Sequence, residues 1–107
     1  MKFKYPKRIQ VGSCNFKMIY DKSLSDGEFS YADKDNESFI RLGTGLSKTE
    51  PMRFLACLIH ELKEIIHVEQ HTRYRRADNN SYEFHYTHKE HTHMCGELSR
   101  LLNLFIV

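Results

Sequence analysis

All seven histidines of this 107-residue chain lie between His60 and His93, and the first 59 residues contain none. The densest stretch, Leu58-Ile59-His60-Glu61-Leu62-Lys63-Glu64-Ile65-Ile66-His67, sets imidazoles and carboxylates at helical spacing. At about 100° per residue, His60, Glu64, His67 and His71 share an arc of roughly 60°. Two donors at i and i+4 can reach one ion from a single turn, which is how HExxH holds zinc. Here the second position is Glu64, and a carboxylate oxygen is also an acceptable zinc ligand. Glu61, next to His60, is then the candidate general base acting on a metal-activated water.

A third donor is sought in the later histidines. The leucine stripe of Leu98, Leu101, Leu102 and Phe105, extended backwards, passes through Met94, His91 and His88. His88 is the first choice and His91 the second. His67 competes from the first helix, although i+7 lies two turns from His60. The plain alternative is an amphipathic surface helix, whose polar stripe needs no metal and whose Lys63 pairs with nearby carboxylates.

The elements that must position these groups can be read in order. Arg8–Val11, Cys14–Tyr20, Glu28–Ala32 and Phe39–Leu42 have strand character, with turn chemistry at Asp33-Lys34-Asp35-Asn36. After Gly43-Thr44-Gly45, Thr49 can cap a helix with Glu50 and Pro51 in its first turn. That helix is predicted from Met52 to about His71, with Leu55, Ile59, Leu62 and Ile66 on an apolar arc nearly opposite the His/Glu arc. Tyr74–Tyr86 reads as irregular or partly extended, with a breaker run at Ala77-Asp78-Asn79-Asn80. A second helix is expected from near Thr87 through Phe105. Strands followed by helices predict an α+β fold: a small, mainly antiparallel sheet of three to four strands, then two helices, in one domain spanning residues 1–107.

Composition narrows the class. Hydrophobic content of 40% with 12% aromatic residues is ordinary for a globular protein. No apolar run approaches the length of a membrane span. The basic N-terminus has no apolar stretch after it, so no signal peptide is expected. Cys14, Cys57 and Cys95 are odd in number and lack a CxxC pair, which reads as buried, reduced thiols in a cytoplasmic protein. A net charge of +2 does not by itself imply nucleic acid. Arg73-Tyr74-Arg75-Arg76 can stack on bases or hold phosphate, though a solvated basic loop at a helix C-terminus is the commoner explanation.

On residues 58–67 and 87–102 the chain resembles a minimal zincin-type metallopeptidase. The ImmA/IrrE-like and SprT-like domains share that plan. Also similar are small phage and prophage proteins whose helix reads HExxE and is followed by a histidine opening a leucine-rich second helix. The resemblance implies a zinc ion held by His60, Glu64 and His88, with Glu61 as general base. It also implies a peptide or protein substrate added as a strand at the sheet edge, with Phe39–Leu42 as that edge. The expected function is a metal-dependent peptidase in the cytoplasm, the host's if phage-encoded. The alternatives are a non-catalytic, metal-stabilised binding protein and a phage-type accessory protein contacting nucleic acid through Arg73–Arg76 and the basic N-terminal arm.

Overall fold

The structure is a computed structural model that describes residues 1–75 and 81–107, with the side chain of Arg75 outside the description. The breaker run expected at Ala77–Asn80 lies outside the described residues. Arg8–Val11 (β1) and Cys14–Asp21 (β2) form an antiparallel hairpin. Gly27–Ser30 (β3) and Phe39–Gly43 (β4) form a second antiparallel pair. The Asp33 carboxylate accepts hydrogen bonds from the Asp35 and Asn36 amides at 2.9 and 2.8 Å, which fixes the turn between them.

The strand order is β1-β2-β4-β3. β4 runs parallel to β2, with Met18 opposite Ile40 and Tyr20 opposite Leu42. Phe39–Leu42, expected at the sheet edge, is therefore interior. The correction has a packing reason: Ile40 and Leu42 are fully buried, and a central strand has ladder partners on both sides. The edges are β1 and β3, and the first helix packs against both, more extensively against β3.

That helix, α1, spans Pro51–Glu69. Its N-cap is Glu50, one residue later than the expected Thr49, and no side chain caps it. Pro51 instead supplies a preset φ in the first turn. α1 ends before His71, which takes φ +58°, the left-handed region that closes many helices. Its buried stripe is Phe54, Leu58, Leu62, Ile65 and Ile66, rotated from the expected arc so that Leu55 and Ile59 are only half-buried. The rotation carries Glu61 to the margin of the core.

α2 spans His88–Asn103 and starts where the sequence predicts, with Thr87 and Glu90 forming a reciprocal capping box. Met94 and Leu101 face the core, and the Arg100 guanidinium donates to the Gln10 carbonyl at 2.7 Å, tying α2 to β1. The stretch expected to be irregular or partly extended contains a small antiparallel hairpin, Arg73–Arg75 (β5) with Tyr82–Phe84 (β6). It meets α1 at Glu64 and His67, about 120° and 180° round the helix from Leu58. So α1 is packed between the main sheet and this hairpin. Phe3 bridges Ile106 and stacks edge-on to Phe54 at 4.6 Å, which closes the chain ends over the start of α1. Among the described residues, no helix is long and apolar enough to cross a membrane.

Candidate acid–base and metal cleft on α1

His60 and Glu64 meet as their spacing predicts: Nε2 of His60 lies 3.2 Å from Oε2 of Glu64. The imidazole is 69% exposed and the carboxylate only 19%. The Arg73 guanidinium holds Glu64 from behind, since Nη1 of Arg73 lies 3.6 Å from Oε1. The Arg73 guanidinium also stacks on the Tyr82 ring at 3.6 Å and lies 5.6 Å from the Phe29 ring. It is turned inward, 16% exposed, and joins hairpin, helix and sheet edge. That placement does not favour Arg73 as a free phosphate contact, and Arg76 lies outside the described residues.

The pair opens into a cavity of about 680 Å³ between α1 and residues 82–86. Tyr82 and Phe84 belong to β6 and, with Tyr86, form a partly exposed aromatic wall. His85 also lines the cavity, with Nε2 3.0 Å from Oε2 of Glu83. His67 sits at the inner end, buried, with Nδ1 2.8 Å from Oγ1 of Thr72 and its ring 4.4 Å from that of Phe84. Burial, helped by the Lys63 charge and opposed by Glu64, holds its imidazolium less acid-stable than usual, so the pKa is lowered.

Glu61 is placed differently. It is 6% exposed and lies on the sheet side of α1 against Gly27, where an added Cβ would come within 2.9 Å of the Glu61 side chain. Gly27 is thus required by the close approach of helix and edge strand. Burial pushes the Glu61 carboxyl above its ordinary range; His60 opposes this, while Glu64, Asp26 and Glu28 add to it.

His88 opens α2 as an exposed residue, its ring 6.4 Å from that of His91. Tyr86 lies between His91 and α1, 5.4 Å from His67 and stacked on His91 at 5.9 Å. Among the described residues, no group of three or more His, Cys, Asp or Glu side chains is gathered so that it can hold a metal ion. The His60–Glu64 pair therefore fits a divalent cation in donor chemistry and falls one donor short in number. The structure brings together two of the three expected donors; His88 is not with them.

Arg73, His85 and Glu83 were not singled out for this cleft in the sequence. The alternation of Tyr82, Phe84 and Tyr86 was the available signal that residues 82–86 line a wall. Cys95, expected to be buried, is exposed on α2 with Sγ 3.6 Å from Nε2 of His91, because its helical position faces away from the Met94–Leu101 stripe. Cys14 and Cys57 are half-buried, and all three thiols are free. No protein-family model, no curated protein and no solved structure matches this chain.

Proposed function

We propose that the α1 cleft binds a divalent metal ion and that the chain is a metal-dependent hydrolase of peptides. The observation that carries this reading is the His60–Glu64 pair, 3.2 Å apart at the mouth of a cavity walled by aromatic residues. One imidazole nitrogen and one carboxylate oxygen are the donor types that zinc takes, and a bound ion would supply Lewis-acid activation of a carbonyl group and of water. Glu61 supports an acid–base role, because a buried carboxyl raised above its ordinary range can hold a proton closer to neutral pH. Its neighbour β3 has one unpaired edge, where an extended peptide can add as a strand. The cleft and that edge lie on either side of Glu61.

A second reading is favoured by one observation: Glu61 faces Gly27 and the sheet. A non-catalytic, metal-stabilised protein needs only the ligands, and a structural Glu61 suits it.

Metal content measured on purified protein after equilibration with zinc, beside His60→Ala and Glu64→Ala, tests the shared part. The expected result is about one equivalent of metal, lost in either variant. Less than about a tenth of an equivalent, unchanged by both substitutions, would overturn both readings. Glu61→Gln then separates them. Retained metal with lost peptide hydrolysis supports the hydrolase; hydrolysis at the original rate removes Glu61 from the chemistry.

A further inference from the structure

A second concavity, of about 610 Å³, lies where the β4–α1 loop meets β2 and the N-terminal arm. Its walls include Tyr5, Tyr20, Lys22, Thr44, Ser47 and Lys48. These residues come from three separate stretches of chain. Among the described residues, neither lysine has an ion-pair partner, and the hydroxyls of Thr44 and Ser47 make no hydrogen bond. The carboxylates closest in sequence to the two lysines are engaged elsewhere: Asp21 accepts from the amide and hydroxyl of Ser23 at 2.9 and 2.6 Å, and Glu50 holds Arg53 at 3.1 Å.

The loop itself is anchored. The amides of Thr44, Gly45 and Ser47 donate to the carbonyls of Asp21, Leu24 and Thr44 at 2.9, 2.9 and 3.1 Å. An anion here would be held by side-chain ammonium and hydroxyl groups, since those backbone donors are taken. α1 begins immediately after the loop with no side-chain cap and no acidic residue in its first turn. Glu50 at the N-cap offsets the positive end of its dipole, so the lysines supply the positive charge of the basin. On the opposite wall, Tyr20 is fixed by its hydroxyl bond to the Pro6 carbonyl at 2.5 Å. Tyr5 packs edge-on to it, ring centroids 5.0 Å apart, and remains 44% exposed. An exposed, backed aromatic ring is a stacking platform for a planar base.

We propose that this basin binds a nucleotide-type ligand, with phosphate between Lys22 and Lys48 and a base against Tyr5. The same chemistry is presented by a free mononucleotide and by a single strand of nucleic acid. The inference does not rest on the metal reading of the α1 cleft.

The test is an amide-resolved NMR titration of the whole chain at low salt with inorganic phosphate, adenosine monophosphate and an eight-residue oligothymidylate. The expected result is movement of the Gly45, Ser47 and Lys48 amides with both nucleotide probes. Tighter binding of the oligonucleotide identifies a single strand as the source, and equal affinity identifies the mononucleotide. Lys22→Ala/Lys48→Ala should weaken binding about tenfold or more and reduce the salt slope for the oligonucleotide by about 1.4, two contacts at about 0.7 each. Tyr5→Ala should weaken both nucleotides about fivefold or more while leaving phosphate unchanged. Inorganic phosphate as the sole binder, with Tyr5→Ala without effect, overturns the base half of the assignment. No amide movement at millimolar probe, or binding that survives the double substitution, overturns all of it. Lys22 and Lys48 are exposed, so a thermal melt of the variant confirms that the fold is retained.

Discussion

The cleft on the flank of α1 and the basin at its N-terminus are both rich in charge, but they hold it differently. In the cleft, Glu64 is shared by His60 and Arg73, and His85 by Glu83. In the basin, Lys22 and Lys48 have no ion-pair partner among the described residues. A ligand entering the cleft must displace an existing interaction, whereas a ligand entering the basin supplies a missing one. The paired site contributes to the fold before any ligand arrives; the unpaired lysines stay hydrated until one does.

The sharpest way to break this contrast is Arg73→Ala. It removes the partner of a largely buried carboxylate and the stack on Tyr82, so a loss of about 2 kcal/mol is expected. Differential scanning calorimetry should show a melting temperature lower by about 10 °C. Arg73→Lys keeps the charge without the planar stack and should recover less than half of the loss. An unchanged melting curve for Arg73→Ala would mean that the cleft's pairing has no structural weight.

Glu61→Gln has a smaller effect with a sign that depends on pH. The folded chain raises this carboxyl's pKa, so its stabilising proton uptake is complete below the ordinary carboxylate value of about 4.3 and is lost as pH rises through the folded value. The amide should therefore melt above the parent at pH 8, with the gap closing near pH 4. His67 works the other way: its lowered value costs stability as pH falls below about 6.5. A gap independent of pH would show that Glu61 is not the group being titrated.

The smallest effect belongs to the basin. Lys22→Ala/Lys48→Ala should change stability by no more than about 0.5 kcal/mol, because the substitutions remove no partnered group. A loss as large as that from Arg73→Ala would erase the distinction between the two regions.

The elements were legible where local rules suffice. The Asx turn at Asp33, the Thr87–Glu90 capping box and the spacing of His60 and Glu64 each depend on residues within four positions of one another. Strand order was not legible, because nothing local says that β4 inserts between β2 and β3. The burial of Glu61 and His67 was hidden for a related reason: one is covered by an edge strand and the other by a hairpin, each distant in pairing. The basin was invisible as a unit because Tyr5, Lys22 and Lys48 come together only through long-range packing. The separation of His88 from the His60–Glu64 pair was hidden for the same reason, since it depends on how α2 packs against α1.

The insertion of β4 also divides the sheet into two hairpins of local contacts, β1–β2 and β3–β4, joined only along the parallel ladder between β2 and β4. Closing that ladder must fix the long excursion from Asp21 to Phe39, so the chain-entropy cost of the sheet is concentrated at one seam. Met18 and Ile40 meet there, both buried, and the apolar surface they cover offsets that cost where it is highest.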